Sequence, residues 1–175
     1  DMPERIIVPK TVSKTPMRIV YTGNLAIGRT ATILAISQVL QKLNEKNVLL
    51  ELDVYTPTTL LPDELKKLKS SVHIHPPVPM EDVAKIQENA DILLFVEDMD
   101  GPMSKKARLS FSTKITDCMQ SGSVLFSIGP DGLASIEATK SIDGAFCAVN
   151  LDEIAETIKQ IDDADLYERA KSIRA

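Results

Sequence analysis

The sequence predicts an α/β fold, a Rossmann-like parallel sheet of about six strands with helices on both faces. Two observations lead to this prediction. Short apolar runs alternate along the chain with segments in which apolar residues recur at helical spacing. In addition, inner runs such as Ile92-Leu-Leu-Phe-Val96 are apolar without interruption, which is typical of parallel strands buried on both faces.

The composition is that of one globular domain without a membrane span. The 175 residues contain 20 Lys and Arg against 25 Asp and Glu, a formal net charge of −5. This acidic balance argues against a general nucleic-acid-binding protein, because phosphate neutralisation requires a basic surface. No apolar run approaches the roughly 20 residues of a transmembrane helix. Cys118 and Cys147 form no Cys-x-x-Cys motif, so a disulfide scaffold or zinc finger is not expected. A cytoplasmic location is expected instead.

The first 17 residues contain Pro3, Pro9 and Pro16 and are predicted to form a linker or N-terminal arm. Residues 18–175 are predicted to form the domain. Because residue 1 is Asp and not Met, we expect the chain to be a piece of a longer protein.

Each element of the domain follows from local pattern. The predicted strands are, in order, 18–22, 48–55, 72–75, 91–97, 124–128 and 145–149. The first predicted helix, 30–46, carries Ile33, Ile36, Leu40 and Leu43 at helical spacing. A short Lys-rich helix is predicted within 57–71, and Pro76-Pro77 ends the third strand. The later helices are predicted at 80–89, 112–120, 135–140 and 152–161, with a last turn near Tyr167.

In such sheets ligands bind at the carboxyl ends of the strands, where the strand order reverses. Functional residues are therefore expected in the loops after Thr22, His75, Glu97 and Ile128. The rule narrows the search without identifying a ligand.

The loop after the first strand reads Gly23-Asn-Leu-Ala-Ile-Gly28-Arg29-Thr30. Its glycines allow a ligand to approach the backbone, and the following helix start offers N–H groups and positive potential to a phosphate. Arg29 adds a charged fork suited to phosphate oxygens. A tight turn with a solvated Arg29 remains the alternative interpretation.

The sequence of this loop differs from the P-loop motif at one residue, and Asp91–Asp98 resembles a Walker B strand. A P-loop NTPase is therefore a further hypothesis. It is disfavoured because the planar Arg29 is a poor substitute for the compact P-loop lysine.

A second candidate segment begins at Ser112-Thr113-Lys114. Ser112 and Thr113 suit a helix start, where their hydroxyl and N–H groups can bind an anion. Lys114 places a positive charge at a helix start, where the helix dipole disfavours cations. A bound anion would offset this repulsion. Asp117 lies four residues after Thr113, on the same helical face. A capped amphipathic helix with solvated Lys114 and Asp117 is the alternative.

A family resemblance joins these segments. Ser112-Thr-Lys-Ile-Thr-Asp117, Ser121-Gly122 and Leu125-Phe-Ser-Ile-Gly-Pro-Asp131 resemble the "STK-I-x-E … SGKPILAIGPED" stretch of family-4-like glycosyltransferases. Arg18-Ile-Val-Tyr-Thr-Gly-Asn-Leu and Ala90–Glu97 resemble other parts of the same C-terminal domain, which binds the nucleotide-sugar donor. The resemblance implies one half of a GT-B fold, with the acceptor-binding N-terminal domain absent from this chain.

Carried over by position, the resemblance places the donor diphosphate between the Gly23 loop and the Ser112 helix start. Arg29 would bind the phosphates from one side. Ser112, Thr113 and Lys114 would bind them from the other. Asp117 would accept hydrogen bonds from the ribose hydroxyls, and the backbone near Val78 would receive the base.

The implied activity is transfer of a hexose from a nucleotide-sugar, with UDP as the favoured nucleotide, to a cell-surface glycan or lipid acceptor. The resemblance implies no metal for the donor and places the usual catalytic base or acceptor-orienting group in the absent N-terminal domain, so the catalytic residues remain unknown. Asn24 stands where many members have a phosphate-binding Arg, and Leu109 stands where the first Glu of the E-x7-E motif would be. These two departures keep open a non-catalytic scaffold or partner-binding module.

Two further features are set aside. His73 and His75 face one way on a strand, but no carboxylate or Cys nearby in the sequence completes a metal site. Lys66, Lys67 and Lys69 are interpreted as a solvated face, with peripheral contact at the inner membrane surface as the minority interpretation.

Overall fold

A computed structural model of the chain describes residues 16–46, 50–99, 113–162 and 166–174. The strands are β1 (Met17–Thr22), β2 (Leu50–Tyr55), β3 (Val72–His75), β4 (Ile92–Val96), β5 (Val124–Ile128) and β6 (Phe146–Ala148). The helices are α1 (Arg29–Asn44), α2 (Pro62–Leu65), α3 (Met80–Glu88), α4 (Thr113–Ser121), α5 (Ala134–Lys140), α6 (Leu151–Asp162) and α7 (Leu166–Arg174). None of the described helices is long and apolar enough to cross a membrane.

The six strands form one parallel sheet in the order β3-β2-β1-β4-β5-β6. This confirms the predicted fold class and strand number. The strand order reverses between β1 and β4, so the crossovers on the two sides of this point run in opposite directions. The structure begins β1 one residue before the predicted strand, at Met17, which is buried.

Helices cover both faces of the sheet because successive strand residues point to opposite faces. Ile19 of β1 belongs to the core that α1 and α6 close, with Ile33 and Ile158 among its members. Its neighbour Val20 belongs to the opposite core, which includes Ile115 of α4 and Ile173 of α7. The inner strands β4 and β5 are buried along their whole length, as their continuous apolar runs predict.

The two central strands separate toward their carboxyl ends. β1 pairs along its full length with β2, from Met17 opposite Leu50 to Thr22 opposite Tyr55. The ladder between β1 and β4, in contrast, stops at Val20 opposite Leu93. The resulting split opens at the edge of the sheet where the sequence predicts the ligand.

Candidate functional site

Three chain segments meet at the strand-order reversal: the loop Gly23–Gly28 after β1, Glu97 and Asp98 after β4, and the start of α4. A cavity of about 10 Å³ lies in the split between β1 and β4, lined by Tyr21, Gln87 and Lys114 among others. Such a volume holds about one water molecule. Any larger ligand therefore has to bind in the open crevice above the split.

The Gly28 end of the loop is occupied by a carboxylate of the protein itself. Gly28 is the N-cap of α1 and has a φ of 80°. A Cβ at this position would overlap the Asp98 carboxylate, which is almost completely buried. The positive end of the α1 dipole stabilises a negative charge there. Asp98 thus occupies the helix start at which a phosphate could otherwise bind.

The Gly23 end of the loop carries a cation instead. A Cβ at Gly23 would overlap the Lys114 ammonium group. Lys114 is the second residue of α4, and its Nζ lies 5.6 Å from the centroid of the Tyr21 ring, within range of a cation–π interaction. The structure therefore brings together two predicted site residues that are far apart in sequence, Gly23 and Lys114.

Arg29 forms a partly buried ion pair with Glu97. Its Nη2 donates to Glu97 Oε2 at 2.8 Å, and its Nε lies 3.2 Å from the same oxygen. Nε also donates to the Val96 carbonyl at 3.1 Å, at the end of β4 beyond the β1–β4 ladder. The charge of Arg29 is thus balanced within the protein, which its sequence position alone did not indicate.

Tyr21 lies beneath Lys114 and is also within electrostatic range of Arg29. Its ring lies under Lys114, and its hydroxyl donates to the Asn24 carbonyl at 2.8 Å. Burial raises the pKa of the Tyr21 phenol to about 12; the charge of Arg29 opposes the rise and that of Glu97 adds to it. Arg29 and Glu97 are thus close enough to influence the charge of this phenol, and Lys114 lies over its ring.

The backbone of the Gly23–Gly28 loop is largely engaged within the protein. The Gly23 N–H donates to the Tyr55 carbonyl, and the Leu25 N–H donates to Thr58 Oγ1. The Ala26 N–H donates to Asn24 Oδ1, which also accepts from Thr58. A P-loop requires such N–H groups to face phosphates, so this geometry does not support a P-loop NTPase.

The same contacts give Asn24 a role in shaping its own loop. Its side-chain oxygen and its carbonyl oxygen both accept hydrogen bonds from the protein. Of the other predicted site residues, Val78 lies in the loop between β3 and α3 and is partly buried. Ser112 lies outside the described residues. Thr113 and Asp117 belong to α4, but their side chains are not described.

His75 takes part in an ion-paired cluster on β1–β3. His75 Nε2 lies 2.7 Å from Asp53 Oδ1, Arg18 Nε donates to Asp53 Oδ2 at 2.8 Å, and the Tyr55 ring stacks on the His75 ring. Burial tends to raise the pKa of the Asp53 carboxyl, but hydrogen bonds from His75 and Arg18 outweigh burial and lower it. The described residues contain no group of three or more His, Cys, Asp or Glu that could hold a metal ion.

Sequence reasoning missed Tyr21, Glu97 and Asp98 as parts of this site. The signal for the two carboxylates was present, because Glu97 and Asp98 directly follow the buried strand β4 beside the predicted reversal. Tyr21 gave no comparable signal, since an aromatic residue within a strand is most often part of a core.

Comparisons with known proteins agree with this architecture. No protein-family model matches the sequence, and no curated protein does. Among solved structures, a UDP-forming α,α-trehalose-phosphate synthase from Burkholderia xenovorans, in complex with glucose-6-phosphate, superposes with a TM-score of 0.63 at 14% identity, over 91% of this chain and 40% of that chain. An Escherichia coli trehalose-6-phosphate protein bound with UDP-2-fluoro glucose gives 0.65 at 14% identity, over 92% and 40%. WaaG, a glycosyltransferase involved in lipopolysaccharide biosynthesis, gives 0.65 at 12% identity, over 91% and 42%.

The fold is that of a Rossmann-like domain of the GT-B type. This chain spans about two fifths of the length of the solved GT-B chains it matches, with 40% of the first of them covered. The domain resemblance drawn from Ser112–Asp131 and the solved structures therefore point to the same fold by separate routes.

Proposed function

We propose that this chain binds the nucleotide-sugar donor of a glycosyltransferase, with the donor diphosphate at the Gly23 end of the loop. The observation that carries the proposal is the position of Lys114. Its ammonium group lies against Gly23, at the first turn of α4 and at the strand-order reversal. The positive end of the α4 dipole and the Lys114 charge both favour the binding of an anion at this point.

We propose that three further residues bind the same ligand. Arg29 has a terminal nitrogen, Nη1, without a hydrogen-bond partner among the described residues, and we propose that it donates to a phosphate oxygen. Ser112 and Thr113 would add helix-start N–H and hydroxyl groups. Lys114 and these donors would stabilise the charge of the departing nucleoside diphosphate by preorganised electrostatics.

The nucleoside would extend toward β3. We propose that Asp117 accepts hydrogen bonds from the ribose hydroxyls and that the backbone near Val78 receives the base. UDP is the first nucleotide to test, because one of the matched structures contains UDP-2-fluoro glucose. No metal is required by the groups proposed here, since cationic side chains supply the positive charge.

For the whole protein, we propose that a further domain binds a glycan or lipid acceptor. The GT-B chains that this one matches are about two and a half times longer, and the groups described here bind a donor without supplying an acceptor site. The chain of 175 residues is thus expected to bind a nucleotide and to transfer no sugar. A cytoplasmic location, with the lipid acceptor reached at the inner membrane face, belongs to the same proposal.

Calorimetric titration with UDP and with uridine tests the site. Lys114→Ala should weaken UDP binding by roughly 10- to 100-fold, the range for loss of a charge-assisted hydrogen bond, and should leave uridine binding nearly unchanged. UDP affinity should also fall as salt rises. Lys85→Ala is the matched control, because Lys85 is an exposed helix lysine whose ammonium group is paired with Asp82.

Two results would count against the proposal. If Lys114→Ala and Lys85→Ala bind UDP equally well, Lys114 is not a phosphate ligand. If the unaltered chain gives no saturable heat with UDP, GDP or ADP or with their sugar derivatives, the donor-binding proposal fails and the scaffold alternative replaces it.

A further inference from the structure

We propose, on the basis of the donor site proposed above, that Glu97 selects the donor sugar. It would do so by accepting a hydrogen bond from one of the sugar's hydroxyl groups. Glu97 would then be a specificity-determining residue, and the Arg29–Glu97 ion pair would serve to hold the carboxylate in place.

The hydrogen bonds of Glu97 leave one oxygen available. Both donors of Arg29 converge on Oε2, and Oε1 has no hydrogen-bond partner within the described residues. The Glu97 side chain is 12% exposed. An ionised carboxylate can accept at both oxygens, so Oε1 of this largely buried side chain can accept a further hydrogen bond.

The surroundings of Glu97 keep this acceptor rigid. Its N–H donates to the Ile128 carbonyl, and its carbonyl accepts from Thr32 Oγ1 at 2.9 Å. The side chain is fixed in turn by Arg29, whose Nε is itself anchored on the Val96 carbonyl. A carboxylate held at backbone and side chain is preorganised for one ligand position, which favours selectivity over adaptable contact.

Charge determines which part of a donor can lie beside Glu97. A carboxylate repels phosphate, so the diphosphate is excluded from Oε1 and is better placed beside Lys114. The hydroxyl groups of a sugar are neutral hydrogen-bond donors, and they complement an acceptor-only carboxylate. Asp98 is a weaker candidate for this contact, because it is engaged at the start of α1.

Topology favours the transferred sugar over the ribose as the source of that hydroxyl. Glu97 follows β4, on one side of β1, whereas Val78 follows β3, on the other side. With the base on the β3 side and the diphosphate near Gly23 and Lys114, the sugar end of the donor extends toward β4. The ribose would lie with Asp117 of α4, which packs on the opposite face of the sheet from α1, whose Arg29 holds Glu97.

The experiment compares a sugar nucleotide with its own nucleoside diphosphate. UDP-glucose, GDP-mannose and ADP-glucose are titrated into the 175-residue chain, and the one that binds most tightly is carried forward with UDP, GDP or ADP. Glu97→Gln, which keeps the size and removes the charge, should weaken the sugar nucleotide by roughly 10-fold or more. It should weaken the nucleoside diphosphate by less than about 2-fold. Glu81→Gln, in the exposed first turn of α3, is the matched control.

A ligand-side test keeps the proposal open to refutation should Glu97→Gln fold poorly. Deoxy analogues of the chosen donor, each lacking one sugar hydroxyl, are titrated into the unaltered chain. One analogue should bind roughly 10-fold more weakly, and in a folded Glu97→Gln background that same deletion should have little further effect, because the two changes remove one interaction.

The outcomes separate the two proposals. Equal weakening of the sugar nucleotide and the nucleoside diphosphate by Glu97→Gln overturns sugar recognition and indicates a ribose contact. Deoxy analogues that all bind like the parent donor overturn it as well. If no nucleotide binds the unaltered chain, the donor-binding proposal itself fails.

Discussion

At each end of the Gly23–Gly28 loop a glycine makes room for a charged side chain, and the two charges have opposite signs. Both glycines have positive φ, and at each a charged side chain lies where a Cβ would be. At Gly28 this group is the short, buried carboxylate of Asp98, which matches the positive start of α1. At Gly23 it is the long, flexible Lys114 from the start of α4. The first end holds a negative charge of the protein itself, and the second presents a positive charge where we propose that the donor diphosphate binds.

Gly28→Ala should have the largest effect on stability, because it disrupts the packing of Asp98 against the Gly28 end of the loop. The new Cβ would overlap the Asp98 carboxylate and adopt a left-handed φ, so the free energy of unfolding should fall by about 2–4 kcal/mol. Gly132→Ala is the control, since Gly132 has a similar φ of +76° with nothing within 4 Å, and it should lose about 1–2 kcal/mol. Urea denaturation measures both; equal losses would show that Asp98 does not restrict Gly28.

Tyr21→Phe tests the support of the other end, with an intermediate effect. Loss of the hydrogen bond to the Asn24 carbonyl should reduce the free energy of unfolding by about 1 kcal/mol at neutral pH. The unaltered protein should also lose stability as pH rises from 10 to about 12. Its unfolded state releases the phenol proton at the ordinary pKa, while the folded state retains it.

The pH series is measured by urea denaturation in steps from pH 8 to pH 11.5. The difference in stability between the unaltered protein and Tyr21→Phe should shrink through this range, because the variant lacks the titrating phenol. A difference that stays constant with pH would refute the buried, protonated state of Tyr21.

Asp98→Asn should have the smallest effect. The substitution preserves shape and removes the charge at the start of α1, so the loss should be about 0.3–1 kcal/mol and should decrease at high salt. UDP affinity should not fall, because Asp98 itself contacts no phosphate in the proposed site. Thermal unfolding at low and high salt, with a parallel UDP titration, measures both quantities. A marked loss of UDP binding would transfer the phosphate site to α1.

The fold could be predicted because its determinants are local. Continuous apolar runs such as Ile92–Val96 identify buried parallel strands, and the spacing of Ile33, Ile36 and Leu40 identifies α1. The position of the crevice followed from topology. The partners of its charged groups could not be predicted, because Arg29 pairs with Glu97 and Gly28 meets Asp98 across about seventy positions of sequence. Sequence reasoning assigned the start of α1 to a phosphate because the residues around Gly28 do not show which distant carboxylate lies against it.

The early end of the β1–β4 ladder has a consequence for local opening. Beyond Val20 and Leu93 the two strands no longer exchange ladder hydrogen bonds, and the Val96 carbonyl is held by the side chain of Arg29 instead. Amide protons along this seam should therefore exchange with solvent faster than those of the fully paired β1–β2 ladder. A ligand that contacts both the loop after β1 and the loop after β4 would stabilise the boundary between the two halves of the sheet. Slowed exchange at the Val96 amide, which faces β1 beyond the end of the ladder, would record this stabilisation without any assay of catalysis.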